Sequence, residues 1–358
     1  MTKRENVLSL YRRKGYEKAP VKFVLCPSLV DEYVRQTGDK ECKVDEYFDF
    51  DVRTIYAPGF ENKSDDIYSK YYKEELAAGT IYDDYGVAHE PGGEDAEHFT
   101  RMHHPLQSIT TLDELKSYPF PSPDLSKLPE IKKTIDELHT NGYAVSGCYE
   151  ATIWERAWYI RSMPELMCDM MTDDDKANYL FDKITEDSIV QCSALVEAGV
   201  DILQVGDDIG MQSTIMMGVD MYVKWIKPRL KKVIDAVKEI NPDLLIQYHS
   251  CGFIVPYIDH LVEAGIDILN PVQPESMDFK ELYNKYNDVL SFNGTVGTQT
   301  TMPFGTPDDV YAKVHENLDL VGPNGGLFCA PTHVLEPEVP WENILAYVEA
   351  CREYNPNK

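Results

Sequence analysis

Two side chains that commonly bind zinc stand two positions apart, directly after a short apolar run. The run at 244–248 has the composition of a buried strand, and His249 and Cys251 follow it with Ser250 between them. In extended backbone, residues i and i+2 point to the same side, so this imidazole and thiolate can bind one tetrahedral Zn²⁺ ion. The pair therefore predicts a catalytic zinc site with an open position for substrate. The alternative is a buried structural histidine beside an inert cysteine.

Cys329 and His333 are the candidates for a further metal ligand. They lie in and after the last apolar run of the chain, at 327–330. Either residue can complete the ligand set, and the spacing alone leaves the choice open. The adjacent His103 and His104 form a competing pair, which we interpret as a feature of an irregular loop.

Two adjacent carboxylates follow another apolar run. Asp207 and Asp208 come directly after the run at 202–205 and one glycine. Neighbouring carboxylates raise one another's pKa values and suit proton handling or the binding of a cationic group, so we predict that both are catalytic. The alternative is that one of them caps a helix or pairs with an arginine such as Arg156 or Arg161.

Four further residues are predicted to contact substrate because they also follow apolar runs. They are Tyr149, Glu150, Met211 and Asn270. For Glu150 the alternative is a surface acid, and for Met211 it is packing in the core.

The elements that position these residues form a repeated strand and helix pattern. Apolar runs occur at 21–25, 52–56, 143–146, 202–205, 244–248, 266–269, 289–292 and 327–330. Helical patterns occur at 155–170, 175–198, 219–240, 254–264, 277–287, 307–320 and 341–354. Eight strands with helical crossovers predict an α/β fold, a (β/α)8 TIM barrel.

A repeated phrase supports parallel strands. Residues 195–203 read LVEAGVDIL and residues 261–269 read LVEAGIDIL. Each copy has the pattern of a helix end, a glycine able to take the left-handed conformation, and a buried strand. We predict a single barrel domain over 1–358, with an irregular insertion at 57–140 packed on the barrel. In such barrels the active site lies at the carboxyl ends of the strands, where all the residues above are expected.

Composition excludes several classes of partner. The chain has 358 residues and a formal charge of −27 at pH 7, which disfavours nucleic acid and anionic membranes. No GxGxxG or P-loop pattern follows a strand, and no apolar stretch reaches the ~20 residues of a membrane helix. The basic start is not followed by the apolar core of a secretion signal, and the 8 cysteines lack a disulfide spacing. These features predict a cytoplasmic protein.

Several segments resemble the uroporphyrinogen decarboxylase superfamily nearly end to end. They are RENVLSLYRRKGYEKAPV, HPLQSITTLDELKSYPFPSP, WERAWYIRSMPEL, GDDIGMQ, HSCGFIVPYIDHLVEAGIDILNPVQ and GTPDDVYAKVHENLDLVGPNGG. The resemblance implies a (β/α)8 barrel. True uroporphyrinogen decarboxylases carry an arginine-rich RQAGR segment after the first strand, where this chain has Cys26-Pro27-Ser28-Leu29. The chain is therefore similar to the other branch, the corrinoid-dependent methyltransferases.

Members of that branch bind zinc through the H-x-C pair and a cysteine after the last strand. His249 and Cys251 match the pair. The family's APGC reads Ala330-Pro331-Thr332-His333 here, so His333 stands at the position of the usual cysteine and Cys329 precedes it. The resemblance implies one Zn²⁺ per chain and a corrinoid (cobalamin) cofactor carried by a separate protein partner.

We expect a methyltransferase that moves a methyl group from a small substrate to the cobalt of that corrinoid protein. The expected substrate is an aryl methyl ether (O-demethylation), with methanol, methylamines or thiols as other possibilities. One alternative is a metal-independent decarboxylase of a small carboxylate that uses Asp207 or Asp208 as general acid. The other is a non-catalytic barrel that binds a small molecule or a corrinoid protein, and the chain can form homo-oligomers in each case.

Overall fold

The strands of the protein fall into a parallel sheet and a small antiparallel one. The structure is a computed structural model that describes residues 1–61, 63–92 and 100–357. Its strands are β1 Val52–Tyr56, β2 Ile81–Tyr82, β3 Ala88–Pro91, β4 Thr100–His103, β5 Ala144–Glu150, β6 Ile202–Gly206, β7 Leu245–His249, β8 Ile268–Asn270, β9 Ser291–Asn293 and β10 Leu327–Phe328.

Helices precede, separate and follow the strands. They are α1 Lys3–Tyr11, α2 Pro27–Thr37, α3 Val44–Tyr47, α4 Asp65–Ser69, α5 Leu112–Lys116, α6 Leu128–Thr140, α7 Trp154–Arg161, α8 Met163–Met171, α9 Asp175–Ala198, α10 Val219–Trp225, α11 Lys227–Ile240, α12 Ile258–Ala264, α13 Phe279–Tyr286, α14 Thr301–Phe304, α15 Pro307–Val321 and α16 Trp341–Glu353, with a 3₁₀ turn at Val255–Tyr257.

The parallel sheet has the order β1-β5-β6-β7-β8-β9-β10. Each neighbouring pair is parallel and joined by helical crossovers, which places helices outside the sheet and every strand end at one rim. Buried side chains of the strands and helices form one continuous core. The predicted (β/α)8 TIM barrel is confirmed, and so are seven of its eight predicted strands.

The segment at 21–25 is not a strand, contrary to the prediction. It lies between the two edges of the sheet, but within the described part of the chain its backbone makes a single parallel bridge, from Leu25 to Leu335. The N–H of Val21 donates instead to the carboxylate of Asp51 at 2.8 Å, and the N–H of Lys22 faces the hydroxyl of Tyr347 at 3.4 Å. Side chains therefore satisfy backbone groups that a regular strand would pair with its neighbours.

The repeated phrase folds as predicted. Helices α9 and α12 end at Ala198 and Ala264, and Gly199 and Gly265 follow with φ angles of 106° and 107°. A side chain with a Cβ atom would be strained there, so glycine ends each helix and directs the chain into the next strand.

Two predicted helices are divided. The helix predicted at 155–170 breaks at Ser162, which has a φ angle of +72° and is followed by Pro164 in the first turn of α8. The helix predicted at 219–240 breaks at Ile226, just before Pro228 in the first turn of α11. Proline lacks the N–H that a continuous helix needs, so both breaks coincide with a proline two residues on.

The region at 57–140, predicted to be an insertion, contains the antiparallel sheet β2-β3-β4 and helices α4, α5 and α6. Residues 62 and 93–99 of this predicted insertion lie outside the described residues. Its assignment as an insertion within one domain stays a prediction. Among the helices of the described ranges, none combines the length and the apolar character that crossing a membrane requires.

Candidate active site at the carboxyl ends of the strands

Three possible metal ligands meet where β6 and β7 end. One ligand atom from each of Asp208, His249 and Cys251 lies within 4.8 Å of the other two. The Nε2 atom of His249 is 3.7 Å from the Sγ atom of Cys251 and 3.8 Å from the Oδ1 atom of Asp208. Zinc bonds of ~2.0–2.3 Å place two tetrahedral ligands ~3.3–3.8 Å apart, so the spacing and the N, S and O donors fit Zn²⁺.

A hydrogen bond from β8 sets the orientation of the His249 ring. The Nδ1 atom of His249 lies 2.8 Å from the Oδ1 atom of Asn270, whose amide nitrogen donates to the Oδ1 atom of Asn293 at 3.2 Å. Because the amide oxygen can only accept, Nδ1 of His249 must carry a proton. The Nε2 atom, which faces Cys251 and Asp208, is then the nitrogen available to a metal.

This bond belongs to a longer network inside the barrel. Gln247 donates to Gln204 at 2.8 Å, Asn293 donates to Gln247 at 3.1 Å, and Gln204 donates to the carboxylate of Glu150. All of these amides therefore donate in one direction, which runs from Asn270 to Glu150. The carboxylate of Glu150 is also 3.8 Å from Nδ1 of His249, so the network returns to the candidate ligand.

Two glycines allow the loops that carry these ligands to approach each other. A Cβ atom on Gly206 would lie 2.1 Å from the carbonyl oxygen of His249, and its φ angle is +151°. A Cβ atom on Gly252, with a φ angle of +81°, would lie 2.6 Å from the carbonyl oxygen of Met211. Any larger residue at either position would push the 206–211 and 249–253 segments apart.

The backbone of Cys251 holds the carboxylate of Asp208 in place. The carboxylate accepts from the N–H of Cys251 at 2.7 Å, and the N–H of Asp208 itself donates to Glu155 at 3.0 Å. The imidazole of His249 therefore lies close to the carboxylates of Glu150 and Asp208. Burial lowers the pKa of His249, but the bond with Cys251 and the charges of Glu150 and Asp208 outweigh it and raise the pKa to about 10.

Asp207 has a different position from Asp208. It is fully buried, and its carboxylate accepts from the N–H groups of Ile153 at 3.0 Å and Glu155 at 2.9 Å, at the start of α7. Burial raises its pKa to about 6, although these backbone bonds oppose the shift. The carboxylate therefore caps a helix, and it does not line the cavity described below. The position of Asp207 agrees with the alternative interpretation, a helix cap, rather than with the predicted catalytic role.

Glu155 is a half-buried acid that sequence reasoning missed. Its Oε1 atom accepts from the hydroxyl of Tyr159 at 2.6 Å, and burial, with Asp207 and Asp208 nearby, raises its pKa to about 7. An acid in the first turn of a helix reads in sequence as an ordinary helix-start residue, so no signal pointed to the site.

A cavity of about 300 Å³ lies inside the strand ends. Its lining joins His249, Asn270 and the amide network to the inner side of the 21–25 segment. Lys22 is part of that lining, and its Nζ atom donates to the hydroxyl of Thr54 at 2.7 Å. Burial lowers the pKa of Lys22. Sequence reasoning missed this lysine because it treated 21–25 only as an apolar run.

The two residues predicted as further metal ligands are not in the ligand cluster. Cys329 is fully buried, and its Sγ atom lies 3.6 Å from the hydroxyl of Thr295 and 4.0 Å from the carbonyl of Val314 on α15. It thus faces the helices outside the sheet, and burial raises its pKa to about 12. His333 lines the cavity, but its side chain is not among the clustered ligand atoms. The third residue of that cluster is Asp208.

Only some of the residues predicted to bind substrate lie at the cavity. Glu150 and Asn270 line the cavity, whereas Tyr149 and Met211 do not. Tyr149 is buried on the face of β5 that points away from the cavity, whereas the adjacent Cys148 points into the cavity. Met211 is 52% exposed and pairs through its backbone with Phe253.

The competing histidine pair has separate partners. The Nε2 atom of His103 is 2.7 Å from the carboxylate of Glu90, and the Nδ1 atom of His104 is 2.8 Å from the carbonyl of Tyr159. Neither belongs to the metal-ligand cluster found among the described residues.

Comparison with known proteins agrees with this architecture. The family model "Uroporphyrinogen decarboxylase (URO-D)" matches residues 96–354, which carry six of the seven parallel strands and all three clustered ligands. The chain belongs to the uroporphyrinogen decarboxylase family.

Two curated proteins named as methyltransferases are similar to the chain. It is 27% identical over 171 residues to the methylcobamide:CoM methyltransferase MtaA of Methanosarcina barkeri, covering 48% of this chain and 47% of that protein. It is 23% identical over 251 residues to the methylcobamide:CoM methyltransferase MtbA of Methanosarcina mazei, covering 70% of each. The matched part thus spans about half the length of MtaA.

A solved structure supports the same fold over the whole chain. A methyltransferase from Methanosarcina mazei superposes with a TM-score of 0.69 at 19% identity, covering 99% of both chains. The likeness establishes that the barrel and its additional segments share one architecture with that protein.

Proposed function

We propose that the protein is a zinc-dependent methyltransferase that acts with a separate corrinoid protein. The observation that carries the proposal is the meeting of Asp208, His249 and Cys251 beside a cavity at the strand ends. The names of the similar proteins MtaA and MtbA, both methylcobamide:CoM methyltransferases, support transfer to or from cobalt. We further propose that the methyl donor is an aryl methyl ether.

Asp208, His249 and Cys251 would hold the zinc ion. When bound, zinc supplies a Lewis acid that polarises the oxygen of the substrate and stabilises the departing phenolate. Asn270 keeps Nε2 of His249 free for the metal by accepting from Nδ1. The backbone N–H of Cys251 holds the Asp208 carboxylate in reach of the same point.

The cavity would exclude water and orient the substrate. Its side walls include Phe328, Tyr56 and the amide groups of Gln204 and Gln247, so an aromatic ring has both apolar and polar neighbours. Because the cavity lies at the strand ends, the methyl group would be accessible to a protein docked over the rim. In such a complex the barrel orients the methyl group and the partner provides the cobalt.

The test is methyl transfer by the purified protein with free cob(I)alamin, followed through the absorption of methylcobalamin. An aryl methyl ether should give methylcobalamin with the wild-type protein and none with Cys251→Ser. The matched control is Cys168→Ser, because Cys168 is exposed and distant in sequence from the cluster. Transfer that survives Cys251→Ser at the wild-type rate would contradict the proposal.

Decarboxylation of a small carboxylate is the second candidate, favoured by the ammonium group of Lys22 in the cavity. A cation there can bind a substrate carboxylate without any metal. Release of CO₂ from an aromatic acid by metal-free protein would support this candidate and would exclude a requirement for zinc.

The cysteines fit a reducing compartment, and we propose that the protein works in the cytoplasm. All eight are free, and five of them are buried as small apolar residues.

A further inference from the structure

Lys22 has an unusual environment for a lysine. Its Nζ atom points into the barrel, where it donates to the hydroxyl of Thr54 at 2.7 Å. This is its only side-chain hydrogen bond within 1–61, 63–92 and 100–357, and no carboxylate of these residues lies within 4.0 Å of it. An ammonium group has three donors, so two of them face the cavity without a protein acceptor.

Such an arrangement is costly unless a ligand completes it. Removing an ammonium group from water is unfavourable, and buried cations are normally paired or bonded by several acceptors. The nearest acid of the cavity, Glu150, is already engaged by Gln204 and directed toward His249. Lys22 therefore has donors left for a group that enters the cavity.

Lys22 and the metal-ligand cluster lie on opposite sides of this cavity. Residues 21–25 fill the place between β1 and β10, so eight chain segments surround the barrel axis. Strand β7 is the fourth segment from that place in both directions around the barrel. One direction passes through β1, β5 and β6, and the other passes through β10, β9 and β8. His249 at the end of β7 thus faces Lys22 across the barrel.

We propose that Lys22 binds an anionic group of the substrate, and that the enzyme therefore takes methylated small carboxylates rather than neutral methyl ethers. The carboxylate would bond to Lys22 and Thr54, and the methyl-bearing oxygen at the far end of the molecule would point to Asp208, His249 and Cys251. A benzoate ring with its methoxy group opposite the carboxylate has this shape. The orientation of the reacting end rests on the proposed function, whereas the binding of the carboxylate does not.

The test compares two probes of nearly equal shape, 4-methoxybenzoate and the neutral 4-methoxybenzamide, by calorimetric titration of the full-length protein. Wild-type protein should bind the carboxylate about tenfold more tightly or better, because a charge-assisted hydrogen bond is lost with the amide. Lys22→Met should lose this preference and bind both probes alike. Lys132→Met, on the exposed side of α6, is the control and should retain the preference.

A thermal melt of Lys22→Met establishes that the variant is folded, and Lys22→Arg should recover part of the preference for the carboxylate. The inference is overturned if folded Lys22→Met still prefers the carboxylate, if wild-type protein binds the two probes equally, or if it binds neither. Failure of the proposed function would look different. Selective carboxylate binding without any methylcobalamin formation would leave the role of Lys22 intact and remove the methyl transfer.

Discussion

The Oδ1 atom of Asn270 lies 2.8 Å from the Nδ1 atom of His249, and this contact determines which ring nitrogen faces Cys251. The amide cannot reverse its orientation without losing its own bonds to Asn293 at 3.2 Å. One side chain on β8 therefore sets the orientation of a candidate metal ligand on β7. We expect Asn270 to act as a positioning residue, and its contact with substrate stays a prediction.

Asn270→Ala should weaken zinc binding about 10- to 100-fold, because the imidazole loses its acceptor and can rotate. The measurement is competition with a chelator of known affinity. Asn270→Asp, which retains an acceptor at the same place, should bind zinc at least as tightly as wild type. Equal zinc affinity of Asn270→Ala and wild type would show that the ring is held by other contacts.

Gly206→Ala should destabilise the protein by about 1–3 kcal/mol and also lower zinc affinity. The new Cβ atom would meet the carbonyl of His249 at 2.1 Å and must displace the end of β7. Urea denaturation measures the first effect and chelator competition the second. Gly218→Ala is the control, since a Cβ atom there has no neighbour within 4 Å, and it should change neither quantity appreciably.

Substitutions of the adjacent acids Asp207 and Asp208 should have different effects on stability and on zinc binding. Asp207→Ala should lower the free energy of unfolding by about 1–2 kcal/mol, since the start of α7 loses its cap. Asp208→Ala should instead lower zinc affinity, with a smaller effect on stability measured in the presence of chelator. If both variants lose zinc equally and keep their stability, Asp207 is not the structural residue described here.

Cys329→Ala should retain zinc, whereas Cys251→Ser should lose it. The physical reason is that the thiol of Cys329 faces Thr295 and α15, outside the sheet. Metal content of the two purified variants, determined side by side with wild type, is the measurement. Loss of zinc from folded Cys329→Ala would restore that cysteine as a ligand.

Sequence reasoning succeeded where the pattern is local. The glycines at 199 and 265 end helices as expected, and His249 and Cys251 lie together because they flank one residue at a strand end. For Cys329 the prediction did not apply the alternation of side chains along a strand, which continues past the two-residue strand β10, Leu327–Phe328. Phe328 and Ala330 line the cavity, and Cys329 between them points away.

Single polar residues within the apolar runs are a sequence signal for the cavity that the predictions did not use. In a parallel strand covered on both faces, nearly every residue is expected to be apolar. Gln204 and Gln247 each interrupt such a strand with one polar residue, and Lys22 does the same in the irregular segment beside β1. All three line the cavity. The way they combine into one network depends on strand register, which sequence patterns do not specify.

The central claim is that methyl transfer requires a zinc ion held by Asp208, His249 and Cys251. The most direct measurement is methylcobalamin formation from an aryl methyl ether by one preparation before chelation, after chelation and after zinc is returned, with metal content determined each time. We expect about one zinc ion per chain, loss of transfer with the metal, and recovery of transfer when zinc is returned. Transfer that continues unchanged in the metal-free protein would contradict it.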